Sequence, residues 1–296
     1  MPFSLYLATS KVYAMNRKFQ FILALNTFIL SISLSVFSQT TASEVSKTPL
    51  TIGEVVTMKS KILSENRTLN IYLPESYKPQ DTLKYPVLYV LDGTMNEDFL
   101  HIVGLTQFFN LQYTMPETIV VGIANVDRKR DFTFDPSDRK LKKDYPTTGG
   151  SAKFIEYLDR EVQPYIDKNY RTNGTKILIG QSLGGLLSTE ILLKRMELFT
   201  HYLIVSPSLW WDNENLLKEA SAYAKAQKDV PLYVYVSVGK EGDVMEREAQ
   251  KIYDILKKAN KTHWKLDYKY LPDENHASIL HQSITEAFKL LWPLKE

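Results

Sequence analysis

The chain has 296 residues, 44% hydrophobic and 12% aromatic, enough to bury a large core, and α/β domains commonly reach about 250 residues as one unit. The formal charge is +2, but the first 38 residues carry Lys11, Arg17 and Lys18 without an acid. Beyond them 33 basic residues face 34 acidic ones, which leaves no basic field for nucleic acid. The absence of cysteine excludes disulfides, thiolate metal sites, a cysteine nucleophile and a lipoprotein-type anchor together.

Residues 1–38 have the pattern of a signal peptide. Met15, Asn16, Arg17 and Lys18 form a basic start, residues 19–37 are largely apolar, and Ser38 and Ala42 supply small residues for cleavage. Met15 fits the true initiator, and the fourteen residues before it read as a start-site extension. The run approaches the ~20 residues that span a bilayer. Gln20, Asn26, Thr27, Ser31, Ser33 and Ser35 interrupt it and favour removal over a retained anchor. Residues 39–296 are expected to form one domain, outside the membrane once the leader is cut.

Residues 51–59 and 67–73 alternate apolar with polar, as in Leu69, Ile71 and Leu73, and predict two antiparallel strands with one wetted face. Residues 85–91 and 118–124 are unbroken apolar runs, which suit strands covered on both faces. The first runs into Asp92, Gly93 and Thr94. There Gly93 either lets the backbone come close to a ligand, leaving the Thr94 amide as a donor to developing negative charge, or simply serves a tight turn with Asp92. Residues 125–150 form a long charged segment that either borders the substrate entrance and attracts an anion or is a solvated flap. Helical spacing follows over 153–165, then strands at 176–180, 202–205, 232–238 and 264–270 separated by helices at 183–192, 213–227, 244–258 and 278–291. Such alternation predicts an α/β fold with a mostly parallel sheet and helices on both faces.

The centre of the pattern is Gly180, Gln181, Ser182, Leu183, Gly184, a Gly-x-Ser-x-Gly elbow between a buried strand and a helix. The flanking glycines are expected because a Cβ at either place would collide with the neighbouring helix or strand. The turn presents Ser182 beside free helix amides, with that of Leu183 as the second oxyanion donor. A serine hydroxyl needs a base within hydrogen-bond reach. Of five histidines, His276 follows a strand end on the edge that holds Ser182, whereas His101 precedes the elbow and His281 falls inside the last helix. The orienting carboxylate should lie between serine and histidine, where Glu241 is the first candidate and Asp243 the second. Trp210 and Trp211, just past a strand end, either line a cleft or cap the core.

Residues 180–185, the Ser-Pro-Ser-Leu-Trp-Trp run 206–211, the Tyr170–Arg171 pair, the 91–93 turn and the Asn275–His276 end together resemble the putative-esterase family of α/β-hydrolases. The resemblance covers about residues 50–293 and looks nearest to the branch of siderophore trilactone esterases, with feruloyl esterases and mycolyltransferases as other branches. It implies Ser182 as nucleophile and His276 as base. In that branch a glutamate commonly stands three residues past the glycine, whereas Glu241 is two past Gly239, so Asp243 remains open as its substitute, as does reliance on a Ser and His pair. Arg130 and Asp131 match an Arg-Asp pair of the branch's substrate-facing loop, which implies that Arg130 contacts an anionic or catecholate group. The expected activity is secreted or periplasmic serine-ester hydrolysis of a small molecule, with no metal or cofactor. A feruloyl or acetyl-xylan esterase, with Trp210 stacking on sugar, and a catalytically silent binding module are the alternatives.

Overall fold

Five of the apolar runs become inner strands of one eight-stranded sheet. The computed structural model describes residues 45–78 and 80–293, so the leader expected over 1–38 lies outside the described residues. In chain order the elements are β1 Glu54–Lys59, β2 Asn66–Tyr72, β3 Tyr85–Val90, α1 Phe99–Leu111, β4 Ile119–Ile123, α2 Arg128–Phe132, α3 Arg139–Asp144, α4 Ser151–Tyr157, α5 Gln163–Asn169, β5 Thr172–Gln181, α6 Leu183–Lys194, β6 His201–Val205, α7 Trp211–Ala226, β7 Leu232–Gly239, α8 Asp243–Lys258, β8 Trp264–Leu271 and α9 Ile279–Leu291. The strand order is β1-β2-β4-β3-β5-β6-β7-β8. β1 pairs with β2 and β2 with β4 antiparallel, and every other pairing is parallel.

Because side chains alternate across a strand, the sheet feeds two cores. Val87, Tyr89 and Leu178 pack with α4 to α8 on one face, while Leu88, Val90, Ile177 and Ile179 pack with α1 and α9 on the other. After β3 the chain steps to β4 on one side and then to β5 on the other. A crevice opens at such a reversal, beyond the carboxyl ends of the strands.

Three elements differ from the sequence pattern. α1 was not foreseen, because apolar residues surround it and Leu100, Phe108 and Leu111 stay exposed. The charged segment 125–150 holds two short helices, α2 and α3, capped by Asp127 and Asp138. The helix expected over 153–165 continues through a wide turn at Leu158–Val162 into α5. Among the described residues no helix is long and apolar enough to cross a membrane.

α2 is fastened to the sheet by a buried charge pair. Arg67 of β2 is fully buried; its Nη1 donates to Asp131 at 2.7 Å and to Glu65 at 2.9 Å, and its Nη2 donates to the Ala124 carbonyl at 3.2 Å. The guanidinium also lies over the rings of Phe154 and Tyr157. This fixes the orientation in which α2 presents its other arginines.

Candidate active site

The strand-to-helix turn forms where the apolar run of β5 meets the first turn of α6, and Ser182 takes the left-handed strained backbone of an elbow, φ 59°, ψ −119°. The two glycines beside it have different reasons. A Cβ on Gly180 would stand 2.4 Å from the Gly184 carbonyl, so Gly180 is sterically required. A Cβ on Gly184 would find only ordinary contacts at 3.5 Å, contrary to the expected collision; the crowded position is Gly185, 2.9 Å from Pro207 and from the Val205 carbonyl. Leu183 is the first residue of α6, and its amide has no partner inside the helix.

Glu241 follows β7 and His276 follows β8. The loops that carry them are joined, with the Lys240 amide donating to the Glu274 carbonyl at 2.7 Å and no room for a Cβ on Gly239. The Gln181 side chain donates to the His276 carbonyl at 2.5 Å, tying this loop to the elbow. His276 Nδ1 lies 2.5 Å from Glu241 Oε2. The other oxygen of Glu241 accepts from Ser206 Oγ at 2.5 Å and from the Gly239 amide at 2.9 Å. Burial favours the neutral acid, but the hydrogen bonds from His276, Ser206 and Gly239 outweigh it and hold the carboxyl below the ordinary 4.5. Despite the shorter spacing from Gly239, it is Glu241 whose carboxylate meets His276. Asp243 opens α8 and, among the described residues, makes no hydrogen bond to His276.

Ser182, Trp210, Glu241 and His276 share one hollow of about 570 Å³ with Ser208, Lys240, Met245, Asn275 and Ala277. Ser182 and His276 also border a second hollow of about 340 Å³ with Asp92, Glu97, Asp98, Arg128 and Gln181. Serine and imidazole thus stand at one rim. Among the described residues the hydrogen-bond partner of Ser182 Oγ is Ser208 Oγ, at 3.3 Å, and no hydrogen bond joins Ser182 to His276. The two tryptophans divide the roles foreseen for them: Trp210, 38% exposed, lines the cleft, and Trp211 is buried and donates to the Phe134 carbonyl at 3.1 Å.

Two expected positions need correction or remain apart. Arg130 does not border either hollow; its guanidinium is held by Glu65 and Asp131, on the side of α2 facing β2. The arginine of this segment beside Ser182 is Arg128, which forks onto Asp92 at 2.7 and 2.9 Å. Thr94 lies in the turn after β3, half-buried, but is not among the residues that border the hollows. Sequence reasoning missed Ser206, Ser208, Asp92 and Arg128; the available signal was that three of them follow the ends of β3 and β6, on the same rim as the elbow. Asp98 is pushed up to about 7 by burial and by the neighbouring Asp92 and Glu97. Among the described residues no group of three potential metal ligands occurs.

The chain is 25% identical to ferri-bacillibactin esterase BesA of Bacillus subtilis over 262 residues, 80% of this chain and 88% of that one. It is 30% identical over 103 residues, 34% of each chain, to the siderophore triacetylfusarinine C esterase of Aspergillus fumigatus. Its fold superposes on an IroE-like serine hydrolase from Shewanella oneidensis with a TM-score of 0.74 and 28% identity, covering 81% of this chain and 80% of that one. For the BES protein of Bacillus cereus the TM-score is 0.73 at 26% identity, with 86% and 99% covered. The profile of the family described as "Putative esterase" matches residues 60–283, so the chain belongs to that family and is a carboxylic-ester hydrolase with the α/β-hydrolase fold.

Proposed function

We propose that the protein is an exported esterase that opens the lactone of a siderophore through an acyl-enzyme on Ser182. The observation that carries the mechanism is the Glu241–His276 hydrogen bond at the rim where the strained Ser182 stands. Glu241 holds the imidazole with its Nδ1 proton inward, leaving Nε2 free to take the proton of Ser182. The serine oxygen adds to the ester carbonyl, and the amides of Leu183 and Thr94 bind the oxyanion that forms. His276 then protonates the departing alkoxide. Water, deprotonated by the same imidazole, releases the acyl group, and Glu241 stays ionised throughout. Its bonds to Ser206 and the Gly239 amide support that role.

The siderophore reading rests on the relatives named above and on the wall of the larger hollow, where exposed Trp210, Met245 and Lys240 offer stacking and positive charge to an aromatic, hydroxylated acyl group. Trp210 equally suits a feruloyl ester, which makes a carbohydrate esterase the second reading. Export, to the periplasm or the medium, rests on the leader pattern of residues 1–38.

A panel of a catecholate trilactone, a feruloyl sugar, acetylated xylan and p-nitrophenyl acetate, offered to the chain from residue 39 onward, tests the assignment. The trilactone is expected to give the highest kcat/KM, and Trp210→Ala to raise KM for aromatic acyl groups while leaving acetate unaffected. Preference for the feruloyl sugar would move the enzyme to the carbohydrate class, and failure to turn over any ester would leave a binding module.

A further inference from the structure

The Asp92–Arg128 pair stands beside Ser182 yet belongs to neither the triad nor the aromatic wall. Arg128 Nε donates to Asp92 Oδ1 at 2.7 Å and Nη2 to Oδ2 at 2.9 Å, a two-pronged pair of fixed geometry. The same Nη2 reaches the carbonyl of Gln181 at 3.3 Å. Gln181 directly precedes the nucleophile, and Asp92 lies two residues before Thr94. One guanidinium therefore touches both stretches of backbone that carry the oxyanion amides assigned above.

Each stretch is otherwise fixed from its own side. The turn after β3 is held outward: Gly93 donates to the Ile123 carbonyl at 3.0 Å and accepts from Asn70 Nδ2 at 2.8 Å. Asp92 has a left-handed backbone, φ 55°, its carbonyl accepts from the Asp98 amide, and its carboxylate also accepts from Asn125 at 2.6 Å. The elbow is held by β6, through Ser182 donating to the Val205 carbonyl at 3.1 Å. Arg128 comes from a third element, α2, itself anchored by Arg67 and Asp131, and its guanidinium rests over the Phe132 ring.

We propose that Arg128 is a positioning residue that keeps the two halves of the oxyanion hole in register and cancels the charge of Asp92 beside the developing oxyanion. This rests on the Ser182 acyl-enzyme reading. The charge matters because Asp92, Glu97 and Asp98 border the same hollow as Ser182. An unpaired Asp92 carboxylate there opposes the negative charge of the transition state. A donor displaced by about 1 Å loses much of its effect.

The test compares wild type, Arg128→Gln and Arg128→Lys in hydrolysis of p-nitrophenyl butyrate and in inhibition by an aryl trifluoromethyl ketone. That ketone adds the serine oxygen to its carbonyl and leaves an oxyanion in the hole. Arg128→Gln is expected to lower kcat about 100-fold, in the range for losing an oxyanion donor. Arg128→Lys keeps the charge and loses the fork, and is expected to lose about tenfold. In both, KM stays within about threefold and the inhibition constant rises in proportion to the loss of kcat/KM. Arg128→Lys carries the test if the glutamine variant does not fold. Wild-type kcat in the variants, a change confined to KM, or slow turnover with undiminished ketone binding overturns the proposal. Ser182→Ala separates the two levels: if it keeps activity the acyl-enzyme reading fails, and if it is inert while Arg128→Gln is fully active, only the role of Arg128 fails.

Discussion

Two regions of the sheet use unusual backbone and buried charge for opposite ends. At the rim where the neighbouring strands β3, β5 and β6 finish, Asp92, Ser182 and Ser206 all adopt left-handed backbone, φ 55°, 59° and 43°. Each carries a side chain of the site. At the outer edge, β1 and β2 pair without a register shift, and the left-handed residue there, Ser64, sits in the hairpin loop. The edge buries Arg67 against Asp131 and Glu65, a network that joins β2 to α2. Strain costing about 1–3 kcal/mol per residue persists only where surrounding structure over-determines it. The left-handed residues of the rim thus cluster where the proposed chemistry would take place, whereas the edge uses buried charge to join β2 to α2.

Substitutions at the two regions should accordingly dissociate activity from stability. Ser182→Ala should remove at least about 10⁴-fold of kcat, with a urea midpoint equal to or above that of wild type. Glu241→Gln should come next, about 10³- to 10⁴-fold down in kcat with near-native fold, because the imidazole loses its orienting anion. The folded Glu241 carboxyl titrates below its unfolded value of 4.5, so its contribution to stability is present above that pH. It fades as pH falls through the lower folded value. Urea unfolding of wild type and variant should therefore converge in acid.

Arg67→Met should do the reverse. Asp131 keeps Arg130 as its remaining cation, so the loss of stability by denaturant unfolding should fall below the about 3–5 kcal/mol of a fully uncompensated buried charge, while kcat per folded molecule falls no more than about tenfold, since α2 loses one of the ties that hold Arg128. A smaller contrast sits inside the elbow. Gly185→Ala should cost about 1–3 kcal/mol through overpacking against Pro207, whereas Gly184→Ala should change stability by less than about 1 kcal/mol. At Asp98 the effect is set by pH, because its carboxyl ionises near 7 in the fold against 3.8 as an ordinary side chain. Its raised value means that stability is lost as pH rises through this interval. Asp98→Asn should raise the unfolding midpoint at pH 8 and much less at pH 4.

The strand-to-helix turn at Ser182 and the parallel sheet were legible because each leaves a local mark: an apolar run stopped by glycine, a helix start, a polar turn after a strand. Glu241 was legible as one of two acids, and which of them meets His276 came only with the joined loops after β7 and β8. Arg128 and Arg130 illustrate what sequence does not carry. They are two residues apart, and which one faces the nucleophile depends on how α2 is rotated by the Arg67–Asp131 pair, a contact 64 residues long in sequence. Ser206 was hidden for a similar reason, since its partner Glu241 comes from the next strand end. The start of α7 also departed from pattern. Asp212, Asn213 and Glu214 are left-handed, and Asp212 is fixed by Ser137 and the Asp138 amide, so the regular helix begins later than the polar spacing suggested.

The most direct test of the central claim is the structure of the protein after reaction with an aryl fluorophosphonate. The account predicts a covalent phosphonyl group on Ser182 Oγ, its oxygen between the amides of Leu183 and Thr94 and the His276 ring turned toward it with Glu241 still bonded to Nδ1. A protein that stays unlabelled, or an adduct on any other side chain, would contradict it.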